Sequence, residues 1–123
     1  MLNYIQQYSD IIASWQVLLH EQDGEYERLK LEIDFHDGSK LYVKDYHFTS
    51  DERKYSFHWS DSNGKLKIRW DNAQHWRKIP TFPHHKHVYH NNNVAASIEV
   101  TLADVLEYIK KNQSTLPARS NKT

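Results

Sequence analysis

Residues 55–87 read YSFHWSDSNGKLKIRWDNAQHWRKIPTFPHHKH. The first half of this stretch outlines a β-hairpin. Tyr55, Phe57 and Trp59 alternate with Ser56, His58 and Ser60, the period of a half-buried strand. Asp61-Ser62-Asn63-Gly64 is the strongest turn signal in the chain. A two-residue turn at Asn63-Gly64 pairs Trp59 with Ile68 and Phe57 with Trp70. On the opposite face it sets His58 against Arg69 and Ser60 against Lys67. A four-residue loop shifts these partners but keeps the faces. One face is therefore aromatic core, and the other gathers His58, Lys67 and Arg69.

Downstream, residues 71–83 carry Pro80, Pro83 and the Asp71-Asn72 pair, which argue against a regular central strand. A loop of this length in a small domain is more often functional than idle. Lys86 to His90 reads as a short returning strand. Val94 to Val100 reads as a strand or an extended lead-in. Thr101 is a good N-cap with Asp104 near the capping-box position. Leu102, Val105, Leu106 and Ile109 then give a short amphipathic helix.

Upstream, Glu25 to Phe35 alternates Leu29, Leu31, Ile33 and Phe35 against charged residues, and Asp37-Gly38 turns the chain. A three-residue loop at Asp37-Gly38-Ser39 pairs Phe35 with Leu41 and Ile33 with Val43. The following strand runs from about Lys40 to Phe48. Met1 to about Gln22 reads as a helix, because Tyr4, Ile5, Tyr8, Ile11, Ile12, Trp15, Leu18 and Leu19 recur at three- and four-residue steps. The resulting expectation is an α+β fold. A small antiparallel sheet of about four to five strands is flanked by an N-terminal and a C-terminal helix. Residues 1–112 form a single α+β domain, and the polar residues 113–123 form a disordered tail. The hairpin packs on the N-terminal helix through Trp59, Ile68 and Trp15.

Composition narrows the function. The hydropathy pattern offers neither a membrane span nor a secretion signal. With no cysteine, disulfides and thiolate metal sites are excluded. The net charge is zero, yet from Gly64 to His90 six cations face only Asp71, a local +5. A phosphate site has that appearance, and so does a solvated surface. Phosphate loops, dinucleotide fingerprints and serine-nucleophile motifs are missing.

Histidine titrates near neutrality, shuttles protons and binds metals. Three readings suit His58, His75, His84, His85 and His87. The first is metal-independent RNA cleavage, which needs a base, an acid and cations around one phosphate. In that reading His58, Asp71, His75, His84, His85 and His87 are the catalytic candidates. Tyr55, Lys67, Arg69, Trp76 and Lys86 are the substrate-binding candidates, with Trp76 the better base-stacking residue and Trp70 in the core. No cofactor is required. The second is a metal site. His84 and His87 lie about a turn apart in a helix, His85 and His87 share a face in a strand, and Asp71 can add an oxygen. The third is structural, with histidines satisfying backbone groups in a proline-flanked loop. If there is one site, His58 and Arg69 must lie within roughly 10 Å of the returning histidines, a few times hydrogen-bond reach.

Tyr55-Ser56-Phe57-His58-Trp59, Gly64-Lys65-Leu66, Arg69-Trp70-Asp71-Asn72-Ala73 and Phe82-Pro83-His84-His85-Lys86-His87 follow one another in an order that resembles the TumE-type toxin family of bacterial toxin–antitoxin pairs. Phe35-His36-Asp37-Gly38-Ser39-Lys40-Leu41 fits the same pattern, so the resemblance covers about Glu25 to Leu106. The pattern departs at Gln74-His75-Trp76, where the family often has a His pair or a Pro. The resemblance implies a small cytoplasmic toxin with a cognate helix-turn-helix antitoxin as partner. RNA is the expected target and no membrane is involved. A non-enzymatic RNA- or protein-binding toxin is the alternative, and a homodimer is compatible with either.

Overall fold

The computed structural model describes residues 3–113. A 3-10 helix (η1, Asn3–Tyr8) leads into seven strands: β1 (Ile12–Asp23), β2 (Tyr26–Phe35), β3 (Lys40–His47), β4 (Arg53–Ser60), β5 (Leu66–Asp71), β6 (His85–Val88) and β7 (Val94–Ala96). One helix, α1 (Leu102–Gln113), follows. The strands form a single antiparallel meander in chain order. This replaces the expected four to five strands between two helices. The tail expected at 113–123 falls on residues 114–123, outside the described residues, whereas Gln113 ends α1.

The N-terminal segment is the main correction. Residues expected as a helix form the long edge strand β1, joined to β2 by a tight turn at Gly24-Glu25. Gly24 takes φ of +60° there, as the first central position of such a turn requires. Two register shifts, between Ile12 and Ser14 and between Val17 and Leu19, interrupt the alternation. Each extra residue advances the apolar positions out of period two, and the broken pattern imitates a helical one. Trp15 and Leu18 are 43% and 50% exposed, so Trp15 does not pack in the core.

Both central hairpins use the same loop chemistry. Phe35 N donates to Ser39 O, and Gly38 N donates to Phe35 O. The loop is therefore His36-Asp37-Gly38, three residues as expected but one position earlier. Ile33 pairs with Leu41 and Leu31 with Val43, two residues from the expected register and on the same faces. Gly38 has φ of +90°, so it must occupy the left-handed closing position of the loop. Asp61 N likewise donates to Lys65 O around Ser62-Asn63-Gly64, with Gly64 at φ of +82°. The extra residue is absorbed where Ser60 pairs with Leu66 instead of Lys67. Beyond this bulge Trp59 meets Ile68, His58 meets Arg69, and Phe57 meets Trp70.

One face of the sheet carries Leu31, Ile33, Leu41, Val43, Tyr55, Phe57, Trp59, Ile68 and Trp70. Helix α1 covers it with Leu102, Val105, Leu106 and Ile109, and η1 adds Ile5 and Tyr8. Trp70 meets Tyr108 edge-on with ring centroids 5.5 Å apart. Its indole N–H donates to Glu99 at 3.1 Å. The start of α1 is capped reciprocally. Asp104 N donates to Thr101 Oγ1 at 3.1 Å, and Thr101 N donates to Asp104 Oδ2 at 3.2 Å. Among the described residues no helix is long and apolar enough to cross a membrane.

These contacts set stability differences that chemical denaturation measures. Trp70→Ala opens a cavity under α1 and costs about 3–5 kcal/mol. Trp15→Ser on the edge strand costs about 1 kcal/mol or less. Equal costs would contradict the placement of Trp15 outside the core. Removing the cap with Thr101→Ala lowers stability by about 1 kcal/mol, seen as a lower denaturation midpoint with an unchanged slope.

Candidate functional site

Strand alternation puts the clustered polar side chains of β5 and β6 on the sheet face opposite α1. Trp70 points inward, so Arg69 and Asp71 point outward. The register of β6 places His87 opposite Arg69 and His85 opposite Asp71. The four side chains form a compact polar block. His85 Nε2 lies 2.9 Å from Asp71 Oδ1, and His87 Nε2 lies 3.5 Å from Oδ2. Arg69 Nε donates to Oδ2 at 3.4 Å. Asp71 Oδ1 also accepts Ala73 N at 3.0 Å, which turns the chain off the sheet. The two imidazoles meet edge-on, with centroids 5.0 Å apart.

Both histidines are fixed from behind. His85 Nδ1 donates to Pro83 O at 2.9 Å, and His87 Nδ1 donates to Asn91 O at 2.7 Å. A carbonyl oxygen only accepts, so Nδ1 carries the hydrogen in each ring. Asn91 also accepts Arg69 Nη1 through Oδ1 at 3.0 Å, so one turn residue holds two neighbours. That turn contains Tyr89, a non-glycine residue at φ of +64°. Its backbone N–H nevertheless donates to Lys67 O at 2.8 Å. In sequence, Asn91 signals only a turn and carries no sign of this role.

The block floors a cleft of about 470 Å³, whose rim includes Lys54, Asn72, His75 and Trp76. His85 and His87 are only 1% and 4% exposed, because Trp76 lies over them with its ring centroid 6.3 Å from each. Trp76 itself is 39% exposed. The same loop forms a second groove from His75, Trp76, Arg77, Lys78 and Ile79.

Burial, reinforced by Arg69, pulls the His58 pKa below its usual value. Burial, with Arg53 and His85 adding, does the same to His84. For His87 burial and Arg69 lower the value against the opposing hydrogen bond to Asn91 O and the charge of Asp71. All three rings therefore favour the neutral form in the fold.

The remaining candidates separate. His58 is the cross-strand neighbour of Arg69 but does not line the cleft. His84 and Lys86 belong to the α1 side. His84 Nδ1 lies 2.9 Å from the Tyr55 hydroxyl, and the two rings stack at 5.8 Å. Lys86 Nζ donates to Glu99 at 3.3 Å and sits 5.1 Å from the Tyr108 ring centroid. Tyr55 is buried at the cleft's inner wall. Lys67 lies in the bulge with its ammonium 4.1 Å from the Trp59 ring centroid. The cleft thus gathers Asp71, His75, His85, His87, Arg69 and Trp76. It leaves out His58, His84, Lys67 and Lys86.

Comparison with curated proteins and with solved structures finds no match. The family model described as Toxin TumE matches residues 1–113 of the 123. That span includes every strand, α1 and all the cleft residues, and the chain belongs to the TumE toxin family.

Proposed function

We propose that this toxin acts on RNA, cleaving its phosphodiester backbone in the Arg69 cleft. The observation carrying this reading is the meeting of Asp71, His85 and His87 beside Arg69 under an exposed tryptophan. Trp76 offers a stacking surface for a base. Lys54 and Arg69 supply cations for the phosphate. The adjoining groove with Arg77 and Lys78 extends the basic surface along the strand.

In the reaction the 2′-oxygen attacks the adjacent phosphorus and gives its proton to the floor of the cleft. The bond to the 5′-oxygen breaks, and that oxygen takes a proton from the rim. The products are a 2′,3′-cyclic phosphate and a 5′-hydroxyl. The Nε2 atoms of His85 and His87 carry no hydrogen in their neutral forms, because Nδ1 is committed to a carbonyl in each. His87 Nε2 is therefore the floor base. His75, on the exposed rim, is the acid. Arg69 faces the charge that grows on the phosphate. The site works in the cytoplasm, and a helix-turn-helix antitoxin neutralises it.

The purified chain incubated with total RNA and with tRNA tests this. His87→Ala lowers cleavage about 10²- to 10⁴-fold, and Arg69→Ala lowers it about 10²- to 10³-fold. His36→Ala, in the β2–β3 turn, leaves it unchanged. Cleavage that persists in chelator assigns the proton transfer to the imidazoles themselves. A folded protein that cuts neither RNA, with or without divalent ions, sinks the nuclease reading. RNA binding that survives the His87 change but falls with Arg69→Ala would then mark a toxin that grips without cutting.

A further inference from the structure

We infer that Asp71, His85 and His87 form a binding site for one divalent transition-metal ion. The site stands on geometry and does not depend on RNA cleavage; an ion on His87 Nε2 takes the electron pair assigned above to the base, so the two roles belong to metal-loaded and metal-free states of the site. One ring nitrogen from each histidine and a carboxylate oxygen of Asp71 lie within 4.8 Å of one another, and it is the Nε2 atoms that face the carboxylate. Each ring donates Nδ1–H to a backbone carbonyl, the outer contact that fixes a metal-binding imidazole with Nε2 forward. Three electron-pair donors thus converge where a cation is needed to hold them together.

A proton fills that need poorly. His85 Nε2 is fully buried and, among the described residues, has no hydrogen-bond partner, although Asp71 Oδ1 is 2.9 Å away. The carboxylate is close but out of line with the ring N–H direction. A hydrogen on Nε2 would point past it, and an unsatisfied buried polar atom costs about 1–3 kcal/mol. His87 Nε2, at 3.5 Å from Oδ2, is beyond a normal hydrogen bond. A metal ion relaxes both constraints, since each donor needs only to face the ion. Bonds of about 2.0–2.2 Å place neighbouring ligand atoms about 3–3.5 Å apart; His85 Nε2 lies 2.9 Å from Oδ1 and His87 Nε2 3.5 Å from Oδ2, so the carboxylate offers one oxygen to each ring. Arg69 steadies the same carboxylate from the side.

Two imidazoles and one carboxylate select an ion such as zinc, cobalt, manganese, nickel or ferrous iron over calcium or magnesium. Three protein ligands leave further positions on the ion. The three residues line the cleft, so water or a phosphate oxygen from it can complete the coordination.

The test uses the full-length chain after chelator treatment and dialysis, titrated with zinc or with cobalt and followed by calorimetry and visible absorption. One ion binds per chain, and cobalt develops ligand-field bands. Asp71→Asn, His85→Ala and His87→Ala each abolish the bands, whereas His36→Ala retains them. Because substitutions at a buried cluster can impair folding, the unaltered protein supplies an independent readout. Added cobalt shifts or broadens the imidazole resonances of His85 and His87 before those of any other histidine. No stoichiometric binding, or first effects at other histidines, overturns the inference. Metal bound without RNA cleavage supports this site and defeats the nuclease reading. RNA cleaved by a chain that binds no metal does the reverse.

Discussion

Trp70 can occupy only one face of β5. Its ring fills the core beneath α1 and its N–H reaches Glu99, so Arg69 and Asp71 must emerge on the other side. A one-residue slip of β5 would push the indole into the cleft and bury a guanidinium and a carboxylate under α1. The packing of one apolar residue therefore fixes the register of the polar site. The same alternation governs β6. Lys86 turns toward Glu99 and α1, and its neighbours His85 and His87 turn toward Asp71. The core and the cleft are two faces of one constraint.

The sequence was most legible where period two is uninterrupted and a glycine ends it. The sidedness of β2, β3 and β4 is readable for that reason, and the β4–β5 pairing is readable beyond the bulge at Ser60. Even the loop length before β3 was readable, although its position required knowing which residue Gly38 had to be. β1 was not legible. Its bulges destroy the alternation, and its apolar residues at the sheet edge resemble a helical stripe that needs a core. Reading β1 as a helix is also what lowers the strand number, while the short β6 and β7, of four and three residues, leave only faint signals.

The candidate site was legible in composition but not in connectivity. The run His84-His85-Lys86-His87 reads as one basic cluster, yet extension sends alternate members to opposite faces. The possibility that His85 and His87 share a face was open in the sequence. So was their meeting with Asp71 and Arg69, but which histidines meet them depends on how residues 72–84 lead the chain back. The role of Asn91 is hidden in the sequence for a similar reason. Its backbone carbonyl and its side chain act on residues brought together only by the finished sheet.

The meander also orders events during synthesis. Each strand pairs with the one just made, so β1 to β7 can join by successive short closures. The apolar face they create has no cover from within the sheet. Its cover comes from α1, at the far end of the described chain, and from η1 at the beginning. The contact between Tyr8 and Glu107 spans 99 positions. A nascent chain can therefore assemble its polar cleft in outline while its core is still wet. It becomes a sealed, cooperative unit only after Ile109 has left the ribosome. Closure of the core over that sheet thus waits on α1, after the cleft-bearing strands have paired.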